Sequence, residues 1–403
     1  MTAELVKNIH WVGFVDWNVR DFHSFDTWRG ATYNSYLVKD DKTAVIDAVK
    51  SPYVENLIKN IASYVELDKV NYVVCNHAEP DHAGGIGELL KHLPNATLLC
   101  NTKCRDALAG YFNNIDSWKI QIVANEETIS LGKRKLVFIN TPMVHWPESM
   151  FTYIPEDELL FSMDAFGQHI ATSERFDDEY DLNSVLREAK SYYANIVTPY
   201  SKQVQSTLAI AANTPIKIIA PSHGLIWRSH VADIVAAYKK WSAGNYARKV
   251  LIIYDSMWES TTQIANEILN GVVSVSDGVD ARMFHVRKSS LTEIATEMLD
   301  AAGVAIGSST LNTQVMPQIS AVLTYIRGLK FSPKFAVAFG SYGWGAQAVD
   351  ILEKWIKETG WTSIANPIKS KFRPTPEHLI EAKNAGSILA KNAIEQTKET
   401  IKF

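Results

Sequence analysis

Short apolar runs separated by polar turns dominate the first 50 residues: Ile9–Val15, Thr32–Val38 and Thr43–Ile46, with Lys39-Asp-Asp-Lys42 as a hairpin turn between the last two. A helical repeat follows over Val54–Ile61. The run Val70–Cys75 comes next and stops abruptly in a loop rich in histidine and acid. Further strands are predicted at Thr97–Cys100, Lys135–Ile139, Met150–Ile154, Leu159–Ser162 and Ile216–Ala220. Helices are predicted at Gly84–His92, Leu182–Ile196, Lys202–Ala212 and Val231–Trp241. Early hairpins with interspersed helices indicate a layered α/β domain rather than a helical bundle.

The pattern changes at Ser242–Arg248, where Gly244 and Asn245 mark a domain junction. Strand and helix then alternate: strand Lys249–Tyr254, helix Thr262–Leu269, strand Met283–Val286, helix Leu291–Leu299, strand Val304–Ile306, helix Gln314–Gly328, strand Phe335–Phe339 and helix Ala346–Thr359. A late strand near Thr362–Ile368 and a helix over Glu377–Ile394 complete the series. This alternation describes a doubly wound parallel sheet. Two domains are expected, residues 1–245 and 246–403, with no internal repeat or low-complexity segment.

Composition narrows the function classes. Hydrophobic residues make up 46% and charged residues 21% of the 403 positions, the balance of a globular protein that needs no disulfide support. Lys plus Arg is 40 against 44 for Asp plus Glu, so no basic excess supports nucleic-acid binding. The three cysteines, Cys75, Cys100 and Cys104, cannot complete a four-thiolate site and read as ordinary thiols in a reducing compartment. No apolar run approaches the roughly 20 residues of a membrane span, and no signal-like core follows Met1, so a cytoplasmic protein without membrane attachment is expected.

The strongest chemical signal is His77-Ala-Glu-Pro-Asp-His82, directly after a predicted strand. It holds four candidate metal ligands: His77, Glu79, Asp81 and His82. His145, Asp164 and His223 follow other predicted strands in the same way. Taken singly, each has an ordinary structural reading: Asp81 as a cap for the helix at Gly84, His223 as part of a Pro-Ser-His-Gly turn. Together, seven nitrogen and oxygen donors exceed one tetrahedral zinc and suffice for two metals of higher coordination sharing a carboxylate. Four imidazoles and three carboxylates without a thiolate suit iron. His23, Trp146, His169 and Tyr193 are candidates for orienting ligands, donating protons or excluding water, with packing as the alternative for Tyr193 and Trp146. The remaining histidines, His10, His92, His230, His285 and His378, belong to no cluster.

These residues resemble the ligand pattern of the flavodiiron proteins. The resemblance covers essentially the whole chain and implies a metallo-β-lactamase-like αββα sandwich followed by a flavodoxin-like domain. Glu79 departs from the hydrolase relatives of the first domain, which usually carry histidine there and bind zinc. By resemblance, one iron takes His77, Glu79 and His145, the other takes Asp81, His82 and His223, and Asp164 bridges them.

In the second domain the first strand runs into Ser256-Met257-Trp258-Glu259-Ser260-Thr261, a hydroxyl-rich turn suited to a phosphate without a protein counter-ion. It is neither a dinucleotide fingerprint nor a nucleoside-triphosphate loop. Two further loops follow later strands: Ser308-Ser309-Thr310-Leu311-Asn312 and Ser341-Tyr342-Gly343-Trp344-Gly345. All three belong at the carboxyl edge of a parallel sheet, where such folds bind ligands. The segment resembles flavodoxin, which implies FMN with its phosphate on the first loop and its ring on the other two.

FMN and two irons together carry four electrons, enough to reduce O2 to two waters; two electrons suffice to convert two NO molecules to nitrous oxide. The resemblance implies a head-to-tail homodimer, or a dimer of dimers, that brings the FMN of one copy to the iron of another. The chain looks closest to methanogen-type members, which oxidise reduced coenzyme F-420 and reduce O2, with the deazaflavin as a diffusible donor. The alternative is a rubredoxin-dependent nitric oxide or oxygen reductase. Two further classes are separable from both: a zinc hydrolase fused to a flavodoxin, and an FMN electron carrier indifferent to loss of Glu79 or Asp164.

Overall fold

The computed structural model describes residues 3–275 and 278–400; Met1, Thr2, Ser276, Asp277 and residues 401–403 lie outside it. The chain forms two compact units, Met1–Tyr193 with Tyr200–Lys239, and Ala194–Pro199 with Lys240–Phe403.

Two sheets stack in the first unit. One runs in the order Ala3–Val6, Ile9–Trp11, Tyr36–Val38, Thr43–Ile46, Val70–Val74, Thr97–Cys100, Ile120–Ile122. The other runs Thr128–Ser130, Lys135–Asn140, Met150–Ile154, Leu159–Met163, Ile218–Pro221. Strand alternation sends one face of the first sheet inward. Trp11, Tyr36, Ile46, Val74 and Leu99 sit opposite one another on successive strands and pack against Leu136, Phe138, Met150 and Phe161 of the second sheet. The opposite face, through Leu37, Val45, Val73 and Leu98, meets helices Val54–Ala62, Ile86–His92 and Thr102–Tyr111. The first of these buries Val54, Leu57 and Ile61, the spacing of one helical stripe. Helices Ser201–Ala211 and Val231–Ser242 cover the second sheet, where Leu208 and Val235 line a cavity together with Phe151 and Leu160. The layers are therefore α, β, β, α.

The second unit has a parallel sheet ordered Asp280–His285, Lys249–Asp255, Gly303–Ser308, Phe335–Tyr342, Thr362–Ser363, with Ile368–Lys371 also pairing to Phe335–Tyr342. This is the flavodoxin-like order. Lys249–Asp255 and Gly303–Ser308 are buried along their whole length, as central strands covered on both faces must be. The short segment Ala194–Pro199 belongs here because Asn195 accepts a hydrogen bond from the Tyr325 hydroxyl at 2.7 Å.

Several elements differ from expectation for identifiable reasons. The run Ile9–Val15 breaks into Ile9–Trp11 and Phe14–Asp16 around Gly13, where a side chain would strike the Tyr33 carbonyl. Thr32–Val38 breaks likewise at Asn34 and Ser35, whose side chains accept or donate elsewhere. The helix expected over Leu182–Ile196 ends at Tyr192 and continues as one wider π turn, Tyr193–Val197. The late strand is two, Thr362–Ser363 and Ile368–Lys371. The hairpin of Asp21–Phe22 with Phe25–Asp26 and the helix Thr102–Tyr111, capped by Asn101, are additions to the sequence reading.

Candidate metal centre and flavin site

Four strand ends carry the metal candidates. Val70–Val74 leads to His77 and Glu79, then to the short turn Pro80–Ala83 bearing Asp81 and His82. Lys135–Asn140 leads to His145, Leu159–Met163 directly to Asp164, and Ile218–Pro221 to His223. All seven side chains converge. His77, Glu79, His145 and Asp164 form one group of donors, and Asp81, His82 and His223 a second.

Asp164 joins the two groups by dividing its oxygens. Its Oδ2 lies 3.2 Å from His77 Nε2 and 3.0 Å from His145 Nε2. Its Oδ1 lies 3.0 Å from His82 Nε2 and 3.2 Å from His223 Nε2. Glu79 Oε2 stands 3.2 Å from His77 and 3.3 Å from His145, and Asp81 Oδ2 stands 3.3 Å from His82 and 3.1 Å from His223. Ligands at about 2.1 Å from one ion and at right angles are roughly 3.0 Å apart, so these spacings are those of two coordination shells.

A second observation fits metal ions. Both oxygens of Asp81, His82 Nε2 and His223 Nε2 are buried without a properly directed hydrogen bond, although they approach one another closely. They aim at a common point instead of at each other, a costly arrangement unless a cation fills it.

The surrounding groups set ring orientation. Glu148 Oε1 accepts from His77 Nδ1 at 2.8 Å, and the Thr32 carbonyl accepts from His223 Nδ1 at 2.6 Å, leaving each Nε2 for a metal. Glu148, three residues after His145, was not singled out from sequence; a carboxylate beside a candidate ligand was its only signal. His23 reaches Glu79 Oε1 at 2.8 Å from the tip of the hairpin, where both His23 and Ser24 have positive φ. Trp146 sets its ring edge-on to His77 at 5.1 Å.

His169 is buried with both ring nitrogens unpartnered, stacked on Phe25 at 5.0 Å and edge-on to Tyr192 and His223. Tyr193 and Tyr192 face different partners. The Tyr193 hydroxyl pairs with Ser201 Oγ at 2.9 Å, whereas the neighbouring Tyr192 hydroxyl donates to Asp164 Oδ1 at 2.7 Å. One residue along a helix turns a side chain by about 100°, and the π turn begins between the two faces.

Electrostatics follow from this crowding. Burial alone would raise the Asp164 carboxyl, but the facing imidazoles of His82, His145, His223 and His77 hold it well below the ordinary range. Burial would lower His77 and His223, yet the carboxylates facing them raise both, His223 to about 10. His169, lacking such partners, is pushed well below its ordinary value by burial. The cluster therefore favours added positive charge at its centre.

In the second unit the three expected loops meet. Thr261 Oγ1 lies 3.0 Å from Ser309 Oγ and 2.8 Å from Ser341 Oγ, and the two serines are 3.2 Å apart. Helix Ser260–Val273 starts after Glu259, which has positive φ and supplies no side-chain cap, so its first amides are open. Ser256 Oγ and Thr262 Oγ1 are buried without partners beside them. Open amides and orphaned hydroxyls fit a phosphate.

Ser308 and Thr310 are turned to bracing: Ser308 Oγ accepts from Met316 N, and Thr310 Oγ1 from Ala348 N. Leu311 and Asn312 form the tight turn that returns at Gln314. Met257 is exposed, and Trp258 and Trp344 are 84% and 96% exposed, flat surfaces available to a flavin ring beside Tyr342, Gly343 and Gly345. One cation borders this loop with its charge already matched. Arg287 donates to the Ser256 carbonyl and pairs with buried Asp255 at 2.8 Å.

Residues 31–224 match the ODP family beta lactamases and residues 252–386 match flavodoxin. A nitric oxide reductase of Moorella thermoacetica is 43% identical over 90% of this chain and 91% of its own length. The flavodiiron protein of Giardia intestinalis superposes with a TM-score of 0.95 at 39% identity, covering 99% of this chain and 98% of the other. Rubredoxin oxygen:oxidoreductase of Desulfovibrio gigas does so with a TM-score of 0.95 at 34% identity, covering 98% and 99%. With a diiron-type cluster in a metallo-β-lactamase-like unit and an FMN-binding fold after it, the chain belongs to the flavodiiron protein family of oxidoreductases.

Proposed function

We propose that the protein reduces nitric oxide to nitrous oxide, and O2 to water, with electrons delivered to FMN by a rubredoxin-type protein. The observation that carries this is the division of the Asp164 oxygens between two donor groups, which calls for a pair of ions rather than one. In this reading His77, Glu79 and His145 hold one iron, Asp81, His82 and His223 the other, and Asp164 spans both. The three hydroxyl-rich loops hold FMN. Bound there, the irons and the flavin supply open coordination positions and up to four electrons.

The protein's own groups have distinct tasks. Glu148 and the Thr32 carbonyl fix the rings of His77 and His223. Tyr192 holds a phenolic proton against Asp164, and Trp146 and His169 narrow the approach of bulk water. Two NO with two electrons and two protons give N2O and water; O2 with four of each gives two waters.

A relative named for nitric oxide and another named for rubredoxin support this reading over the reduced F-420 oxidase expected from sequence. A head-to-tail homodimer, placing the FMN of one copy at the iron of its partner, belongs to the same proposal. Anaerobic stopped-flow mixing with reduced rubredoxin, reduced F-420 and NADH in parallel tests the donor, and an NO electrode tests the acceptor. Fast FMN reduction by rubredoxin with NO consumption is expected; reduction by the deazaflavin alone would overturn it.

A further inference from the structure

Next to the flavin loops, Phe372 occupies an unusual position. Its φ is +57°, a left-handed conformation that strains a bulky side chain, and it is 65% exposed. Its amide donates to the Tyr342 carbonyl at 2.8 Å, and its ring stands 3.5 Å from where a side chain on Gly343 would begin. The ring is thus fastened to the loop expected to hold the isoalloxazine.

Lys371 and Arg373 flank it, both exposed, with the Lys371 ammonium 5.8 Å from the Phe372 ring centre. Among the described residues neither cation has an ion-pair partner. The nearby charges are committed: Lys369 pairs with Asp350, and Glu377 is engaged by Thr375 and by its own amide at the start of the last helix. The left-handed backbone, the exposed ring and the two cations without ion pairs thus lie together at the end of strand Ile368–Lys371.

We propose that Lys371, Phe372 and Arg373 form the docking site for an acidic electron-donor protein, which covers the ring and neutralises both cations at the flavin edge. The proposal rests on the donor reading above. An exposed aromatic anchor between two cations matches the anatomy of a protein interface, in which a central ring supplies contact area and charge steers the encounter. A small anion would need enclosing walls, and three consecutive exposed residues give none. Each encounter passes one electron, leaving the donor oxidised; two encounters, with two protons from solvent, reduce one FMN.

The test uses the full chain loaded with FMN and iron, with a rubredoxin of acidic pI as the probe. Variants are K371E/R373E and F372S. Three quantities are read: the Kd for oxidised rubredoxin at low and high salt, the rate of FMN reduction by reduced rubredoxin, and FMN content with reduction by dithionite. For K371E/R373E, affinity and rate at low salt should fall about tenfold or more and the salt dependence should largely vanish. For F372S, both should fall about tenfold with the salt dependence kept.

FMN content and dithionite reduction should stay at wild-type levels in both variants. Rubredoxin rates within about twofold of wild type in K371E/R373E, or FMN loss in F372S, would overturn the docking site while leaving the donor class intact. A wild-type protein that consumes NO with dithionite but neither binds rubredoxin nor accepts its electrons would overturn both the docking site and the donor, while sparing the gas reductase.

Discussion

The Tyr192 hydroxyl donates to Asp164 Oδ1 at 2.7 Å, on the oxygen that also faces His82 and His223. It is a proton-bearing group in direct contact with the carboxylate between the two donor sets. Tyr192→Phe should lower NO turnover roughly tenfold with little change in iron or FMN content. Tyr193→Phe loses the contact to Ser201 and leaves Asp164 untouched, so it should keep turnover and cost about 1 kcal/mol of stability. Equal turnover in the two variants would remove Tyr192 from its assigned role.

Glu148 acts through His77. Without its carboxylate the ring loses the hydrogen bond that fixes its tautomer, and the Ala78 amide loses its acceptor. Glu148→Ala should weaken iron binding by about 10- to 100-fold. Anaerobic competition against a chelator of known affinity measures this directly; wild-type retention of both irons would contradict it.

Protons compete with metal in this cluster. His77 and His223 are raised above their ordinary value of 6.5, His223 to about 10, so in the metal-free protein both carry protons at pH 7. A raised histidine contributes stability that is complete below the unfolded value and is lost as pH climbs toward the folded one. The metal-free protein should therefore lose thermal stability as pH rises from about 6.5 toward about 10, and iron loading should flatten that slope. Ferrous titration at pH 7 should also release protons, seen as heats that differ between buffers of unequal ionisation enthalpy. Buffer-independent heats would show the rings to be neutral before iron binds.

Gly224, next to His223, has φ +80°, and a methyl group there would fall 1.7 Å from Gln168 Oε1 and 2.4 Å from its carbonyl. That Gln168 side chain brackets Leu225 through both its amide and its carbonyl. Gly224→Ala should cost about 2 kcal/mol or more and reduce iron content. Gly328, in helix Pro317–Leu329 with open space around it, is the control: Gly328→Ala should gain about 0.5 kcal/mol. Chemical denaturation of both variants separates a local clash from a general intolerance of substitution.

The metal candidates were legible in the chain because histidines and acids cluster immediately after apolar runs, where a strand end holds its loop rigidly. The domain succession was legible because the hydrophobic period changes at the junction. The groups that tune the site were less so. Nothing local separates Tyr192 from Tyr193, since helix phase and the π turn decide which one faces Asp164. The hairpin carrying His23 has strands of two residues, too short for any alternation to register. Arg287 reaches the phosphate loop only because the strand before it, Asp280–His285, pairs in parallel with Lys249–Asp255, a contact between residues far apart in sequence.

Iron-edge anomalous diffraction from crystals of the iron-loaded protein tests the bridging role of Asp164 most directly. Two peaks about 3.5 Å apart are expected, one against His77, Glu79 and His145, the other against Asp81, His82 and His223, with one oxygen of Asp164 on each. A single tetrahedral ion, or peaks that leave Asp164 uncoordinated, would contradict the account.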